Sequence, residues 1–289
     1  MSEPIAILAP QPSSTGSSRI GTAGFAIGIA IVALVVAAAV IGNALVPQDP
    51  FIQDLGNRLM PPFWMEGTQA GHLLGTDQLG RDYLARLVYG ARISLAIGFA
   101  VVLVSGFIGI TLGLIAGYAG GVADAVISFI INTRISMPIV LAALAIVSVT
   151  GNSLTTVILV LGLLLWDHFA VVARSAAMQL RNADYVTAAR AMGCSHWHIL
   201  VREILPNIRG PLLVIATVEM AHAILVEAAL SFLGLGVPAP YPSWGLMLSE
   251  AKSFMFFSPW LIALPGAALL LLVLGINLTG DGLRTRRES

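Results

Sequence analysis

Charge is scarce in this sequence. Only 10% of its 289 residues are Asp, Glu, Lys or Arg, against roughly 25% in soluble domains, while 57% are hydrophobic and the mean hydropathy is +0.89. That balance excludes an ordinary soluble domain and reads as an integral membrane protein. Cysteine is almost missing: Cys194 alone excludes a disulfide framework and a thiolate-rich metal site, and says little about redox compartment. The formal net charge is zero, from 15 basic and 15 acidic residues. No global field attracts nucleic acid, and no nucleic-acid partner is expected. No G-x-x-x-x-G-K-S/T phosphate loop occurs, so the chain is not expected to hydrolyse ATP itself. The H-E-x-x-H and G-x-S-x-G motifs are missing too, which argues against an intramembrane protease.

What is present is a series of long apolar runs. Residues 1–19, rich in Pro and Ser, read as an unstructured cytoplasmic tail. The run that follows, a first span over 20–46, is far longer than the roughly 7–15 residues of a signal-peptide core and is preceded by Arg19 alone. A retained helix is therefore expected. Five more runs lie near 93–117, 122–149, 153–175, 209–235 and 258–279, each with the roughly 20 residues that cross a hydrocarbon core of about 30 Å. The expectation is an all-α membrane protein with six transmembrane helices, five of them in a core over 92–280, and Pro138 should kink the third. An even number of spans puts both termini on one side. With that side cytoplasmic, Arg19, Arg174, Arg181, Arg190, Arg202, Arg209, Arg284, Arg286 and Arg287 are inside or at that boundary, and Arg58, Arg81, Arg86, Arg92 and Lys252 are outside. Residues 281–289 then form a cytoplasmic C-terminal tail.

Two loops are long: an external one over 47–91 and a cytoplasmic one over 176–208. The second carries "DYVTAARAMG" (184–193). Asn182 or Asp184 is placed to cap a helix there, and Gly193 suits the left-handed position that ends one. Ser195 is placed to cap a second helix, "HWHILVREIL", stopping at Pro206. Small Ala188 and Ala189 let another backbone approach, and Arg190 and Arg202 offer charge to an acidic partner. A helix–glycine–helix surface of this kind suits docking; an amphipathic linker between spans is the plainer alternative. His196 and His198 point about 200° apart on a helix, so one metal ion cannot take both, and Trp197 with its histidine neighbours reads as a membrane-surface contact.

The segment "TAARAMGCSHWHILVREILP" (187–206) resembles the coupling loop of ATP-binding-cassette importer permeases, with Thr187 where glutamate is usual and Glu203 where an aliphatic residue is usual. The resemblance extends over "HLLGTDQLGRDYLARLVYGARISL" (72–95), "GLIAGYAGG" (113–121), "ALSFLGLGVPAPYPSWGLML" (229–248) and "NLTGDGL" (277–283). Together these resemble the second, C-type permease of the dipeptide/oligopeptide/nickel branch. Phe129 and Asn132 depart from the Arg and Asp that many relatives carry, and the C-terminus stops soon after "GDGLR". The resemblance implies the type I (MetI-like) fold and a bacterial cytoplasmic membrane. It implies a second homologous permease, two ATPase subunits that bind ATP and Mg, and an external solute-binding protein, with no cofactor bound by this chain. It also assigns ATPase coupling to Thr187, Ala188, Ala189, Arg190, Gly193 and Pro206. Peptides are the implied cargo, with nickel, glutathione or another small solute as alternatives.

In the external loop, Thr76 or Asp77 is placed to cap an interfacial helix through "GTDQLGRDYLARLVYG", on which Asp82 and Arg86 make an i,i+4 pair beside Arg81. By resemblance, 47–91 with 237–257 would be the platform on which the binding protein releases cargo. Within the fifth span, Glu219, His222 and Glu227 project within about 140° of one another, a polar stripe in an apolar helix. Ionisable groups at that depth face a cavity or the protein interior, so the stripe reads as pathway, subunit interface or buried structural hydrogen bonding. Asp124, Asp167 and His168 read as interfacial. A proton-coupled secondary transporter using the stripe as a relay is the competing class, but the internal repeats it calls for are not evident.

Overall fold

The computed structural model describes residues 16–68 and 71–288. Among them there is no strand, only helices: α1 (Gly16–Leu45), α2 (Tyr83–Ala119), α3 (Gly121–Ile135), α4 (Ile139–Thr150), α5 (Leu154–Leu164), α6 (Asp167–Leu180), α7 (Asp184–Ala191), α8 (His196–His198), α9 (Leu205–Phe232), α10 (Trp244–Ala251) and α11 (Trp260–Glu288). Of the tail expected over 1–19, residues 1–15 lie outside the described residues, and 16–19 form the first turn of α1. Residues 281–288 continue α11.

Five helical segments are long and apolar enough to cross a membrane, and α3 with α4 makes a sixth if counted as one broken span. The break is sharp. The two halves meet at 86° around Pro138, which precedes α4 in an extended conformation. Proline cannot donate the helical N–H, and it bars its predecessor from helical geometry. The fourth span is interrupted as well, at Leu165 and Trp166 between α5 and α6.

Pro206 does not stop a helix, contrary to the expectation from its position. α8 runs through a π-helical turn, Ile199–Ile204, straight into α9, with Pro206 in the first turn of that helix. Leu205 donates to Leu200 O, five residues back. The wider turn just ahead of the proline relieves the clash that an α-helical carbonyl would cause. The span therefore runs from His196 to Phe232.

Small residues let the long helices close on one another. On α2, Gly109, Gly113 and Gly117 fall at i, i+4 and i+8, and a Cβ on each would lie 2.2–2.4 Å from the carbonyl oxygens of Trp166, Ala170 and Arg174. The α6 face they meet is Ala170, Ala173 and Ala177, all fully buried. With lipid on the outside, burying apolar surface does not drive helices together, so close backbone approach of this kind supplies the packing. The Gly28 and Gly275 backbones make the same contact between α1 and α11. α9 packs on α2, α6 and α11, and α10 lies over α9 and α11.

Candidate functional site

The 184–205 segment begins with α7, preceded by Ala183, which makes no side-chain cap. The capping role expected of Asn182 or Asp184 is not filled: Asp184 is already inside the first turn, where its charge favours the helix N-terminus. Gly193 has φ +80°, and a Cβ added there would meet nothing within 4 Å. Its requirement is the left-handed backbone, not space. Ser195 does cap the next helix, accepting from the His198 N–H at 3.2 Å.

The two alanines part company. Ala189 is buried with Val186, Ile199, Ile204 and Ile208 against Leu114, Ala173 and Ala177, so it fastens the loop to α2 and α6. Ala188 is exposed, as are Thr187, Arg190 and Gly193. Beside it Met192 is 77% and Trp197 72% exposed. Arg190 does not simply point outward: it donates to Arg181 O at 3.4 Å, and its guanidinium stands 5.5 Å from the Tyr118 ring centre. The Tyr118 hydroxyl in turn meets His196 Nδ1 at 3.0 Å. Between the end of α2 and this loop lies a cleft of about 630 Å³ lined by Ile115, Tyr118, Arg190, His196 and Leu200. His198 faces Glu203 instead, at 3.9 Å, so the two histidines are directed to different partners.

The helix expected to start at Thr76 or Asp77 starts instead at Tyr83, as the first turns of α2. Residues 76–82 are loop, and Asp82 is the cap of α2 itself, accepting from Ala85 N–H at 2.7 Å and meeting His72 Nδ1 at 2.8 Å. Because Asp82 is committed to that cap, the i,i+4 pair with Arg86 is replaced by others. Arg86 reaches Asp77 at 3.3 Å and Glu250 at 2.7 Å. Arg81 bonds Asp77 at 2.6 Å and Glu250 at 3.2 Å. Asp77, Arg81 and Arg86 are buried and Glu250 nearly so. Sequence reasoning missed Glu250, the only acidic residue in 237–257, because Asp77 and Asp82 already balance the two arginines by count and only the structure commits Asp82 to the cap.

The polar stripe of α9 is divided. Glu219 accepts from or shares a proton with His168 Nδ1 of α6 at 2.6 Å, and its other oxygen lies 3.6 Å from His222 Nδ1. Glu227 belongs elsewhere. It is fully buried and accepts from Ser231 at 2.7 Å and from Ser243, the cap of α10, at 2.9 Å. Eight residues at 1.5 Å each separate Glu219 from Glu227 by about 12 Å along the axis, so sharing a side of the helix did not make them neighbours. Asp124, expected at an interface, pairs in bidentate fashion with Arg174 at 2.5 and 2.8 Å, tying α3 to α6. His168 and Arg174 lie about 50 residues from their partners, and no local pattern announces such pairs.

Residues 109–287 match the model of the family described as binding-protein-dependent transport system inner membrane component. The di/tripeptide transport system permease protein DppC of Pseudomonas aeruginosa is 42% identical over 257 residues, covering 89% of this chain and 85% of that protein. The glutathione transport system permease protein GsiD of Pectobacterium atrosepticum is 42% identical over 219 residues, 76% of this chain and 73% of that protein. Among solved structures, the inward-facing MetNI methionine ABC transporter aligns with a TM-score of 0.57 at 20% identity, covering 70% of this chain and 95% of that one, which supports the fold alone. With a family match over most of the helical core and relatives above 40% identity along nearly its whole length, the chain belongs to the inner-membrane components of binding-protein-dependent transport systems.

Proposed function

We propose that this chain is the permease subunit of an ATP-driven importer of di- and oligopeptides. The observation that carries the reading is the 42% identity to a di/tripeptide permease over 89% of the chain. Glutathione is the second cargo supported, through the relative named for it. The importer is completed by a second, homologous permease, two ATPase subunits holding ATP and Mg, and an external solute-binding protein. Both termini face the cytoplasm.

Within that reading, the 184–205 segment is the ATPase contact. Exposed Ala188, Met192 and Trp197 form an apolar face that nothing in the described chain covers, while Val186, Ala189 and Ile199 hold the same segment rigidly to α2 and α6. Displacement of the exposed face is therefore passed to the bundle. Pro206 contributes by placing the π turn, and Arg190 by bracing the segment on Tyr118. The buried Asp77, Arg81, Arg86 and Glu250 cluster joins the 47–91 loop to 237–257 as one unit on the opposite side, fitted to receive the binding protein.

The test is purification of the tagged chain from mild detergent with mass identification of what accompanies it. A second permease and ATPase subunits are expected, and Ala188→Glu should lose the ATPases while keeping the permease. Gly193→Pro should leave the chain inserted but uncouple ATP hydrolysis from uptake. Recovery of the chain alone, with uptake abolished by a proton ionophore, would overturn the reading.

A further inference from the structure

Glu219 is a carboxylate deep in an apolar span, 2% exposed, and only one of its oxygens has a hydrogen-bond partner. Oε2 is buried and unpartnered, since His222 Nδ1 at 3.6 Å is beyond hydrogen-bonding distance. A buried anion with an unused lone-pair face calls for a counter-charge. Two imidazoles flank it, His168 from α6 and His222 from the next turn of α9. One donor atom from each of the three residues lies within 4.8 Å of the others.

We propose that His168, Glu219 and His222 form a binding site for a divalent first-row transition-metal ion, with Zn²⁺ as the reference ion. Two imidazole nitrogens and a carboxylate oxygen are a donor set that suits Zn²⁺, Ni²⁺, Co²⁺ and Cu²⁺, not Mg²⁺ or Ca²⁺. Bonds of about 2.0–2.1 Å in a tetrahedral site place neighbouring donors about 3.3 Å apart. His168 Nδ1 lies 2.6 Å from Oε1 and His222 Nδ1 3.6 Å from Oε2, so rotation of the side chains is needed to bring both nitrogens and one oxygen to that spacing. Both imidazoles have room to adjust, being 47% and 37% exposed at the side chain. Asp167, adjacent to His168, is buried with its Oδ1 unpartnered, and its charge is opposed by the Arg134 guanidinium, which donates to Leu164 O. Three protein ligands leave a fourth position open, on the side where the imidazoles are exposed. The ion would tie α6 to α9. These are the helices that lead into and out of the 181–204 segment. The proposal rests on these three side chains and is independent of the transport reading.

The experiment uses the full chain in detergent, carrying a tag without histidine and stripped by a chelator. Zn²⁺ is titrated by equilibrium dialysis, and Co²⁺ by its visible absorption. One Zn²⁺ per chain is expected, with the intense bands of low-coordinate Co²⁺. His168→Ala and His222→Ala should each weaken binding by at least the roughly tenfold that loss of an outer-shell partner alone costs. The double variant His196→Ala/His198→Ala should bind as the unmutated chain does. As a measurement that needs no variant, Zn²⁺ should protect His168 and His222 from diethylpyrocarbonate. Absence of stoichiometric Zn²⁺, binding that follows His196 and His198, or modification of His168 and His222 unchanged by Zn²⁺ would each overturn the site.

Discussion

The 77–86 cluster and the 184–198 loop manage side chains in opposite ways. In the first, two arginines and Asp77 are withdrawn from water and paired with one another and with partly buried Glu250, up to 169 positions away in sequence, although Arg86 Nε and Nη1 keep no hydrogen-bond partner. In the second, Met192 and Trp197 are left outside while smaller Val186 and Ala189 are buried. Charge inside and apolar surface outside are both costly, but they have different remedies. The cluster finds its ion-pair partners within one chain. The loop's exposed face finds no cover among the described residues.

Breaking the closed region should produce the largest effect. Arg86→Met strands Asp77 and Glu250 without that partner, and removing one member of a buried ion pair costs about 3–5 kcal/mol. A large fall in the melting temperature of the detergent-purified chain is expected, and an unchanged transition would mean that packing alone holds the loop. Next is the contrast between neighbouring alanines. Ala189→Glu drives a charge into the contact with Ile199 and Ile204, and limited proteolysis should open the segment near 190, whereas Ala188→Glu should leave the cleavage pattern as it was. Equal susceptibility of the two variants would erase the inner and outer sides assigned to α7.

A smaller effect is expected at Gly193. Gly193→Ala meets no neighbour, so only the left-handed strain remains, at about 1–2 kcal/mol; the isolated chain should melt slightly earlier. Substitution by Asn, which tolerates that conformation better, should recover part of the loss. Least of all, Trp197→Ala should change the stability of the isolated chain by no more than about 0.5 kcal/mol while reducing recovery of ATPase subunits. A destabilised chain with full recovery would reverse the comparison.

Much of this architecture was legible locally. Length and hydropathy find the spans, because an apolar helix in lipid needs no distant residue to satisfy its backbone. Pro138 marks a true break for the same reason: its effect is confined to adjacent turns. Pro206 misleads because the remedy, a π turn over 199–204, leaves no residue signature. The 184–193 helix and its glycine were readable from capping and backbone preference, but the burial of Ala189 and the exposure of Ala188 depend on which side α2 and α6 occupy.

The sequence by itself determined that this chain is helical and membrane-spanning, where most spans fall, and that the 187–206 segment carries a helix–glycine–helix pattern. These follow from interactions within a few residues: hydrogen bonds to i−4, caps, and the left-handed turn at Gly193. Only the tertiary structure decided the polar partnerships. Arg86 prefers Asp77 and Glu250 to the nearby Asp82, Arg174 finds Asp124, and Glu219 meets His168 while leaving Glu227 to Ser231 and Ser243. In a low-dielectric interior a buried charge must take whatever counterpart the packing brings within reach, and that reach is set by helix crossings, not by distance along the chain.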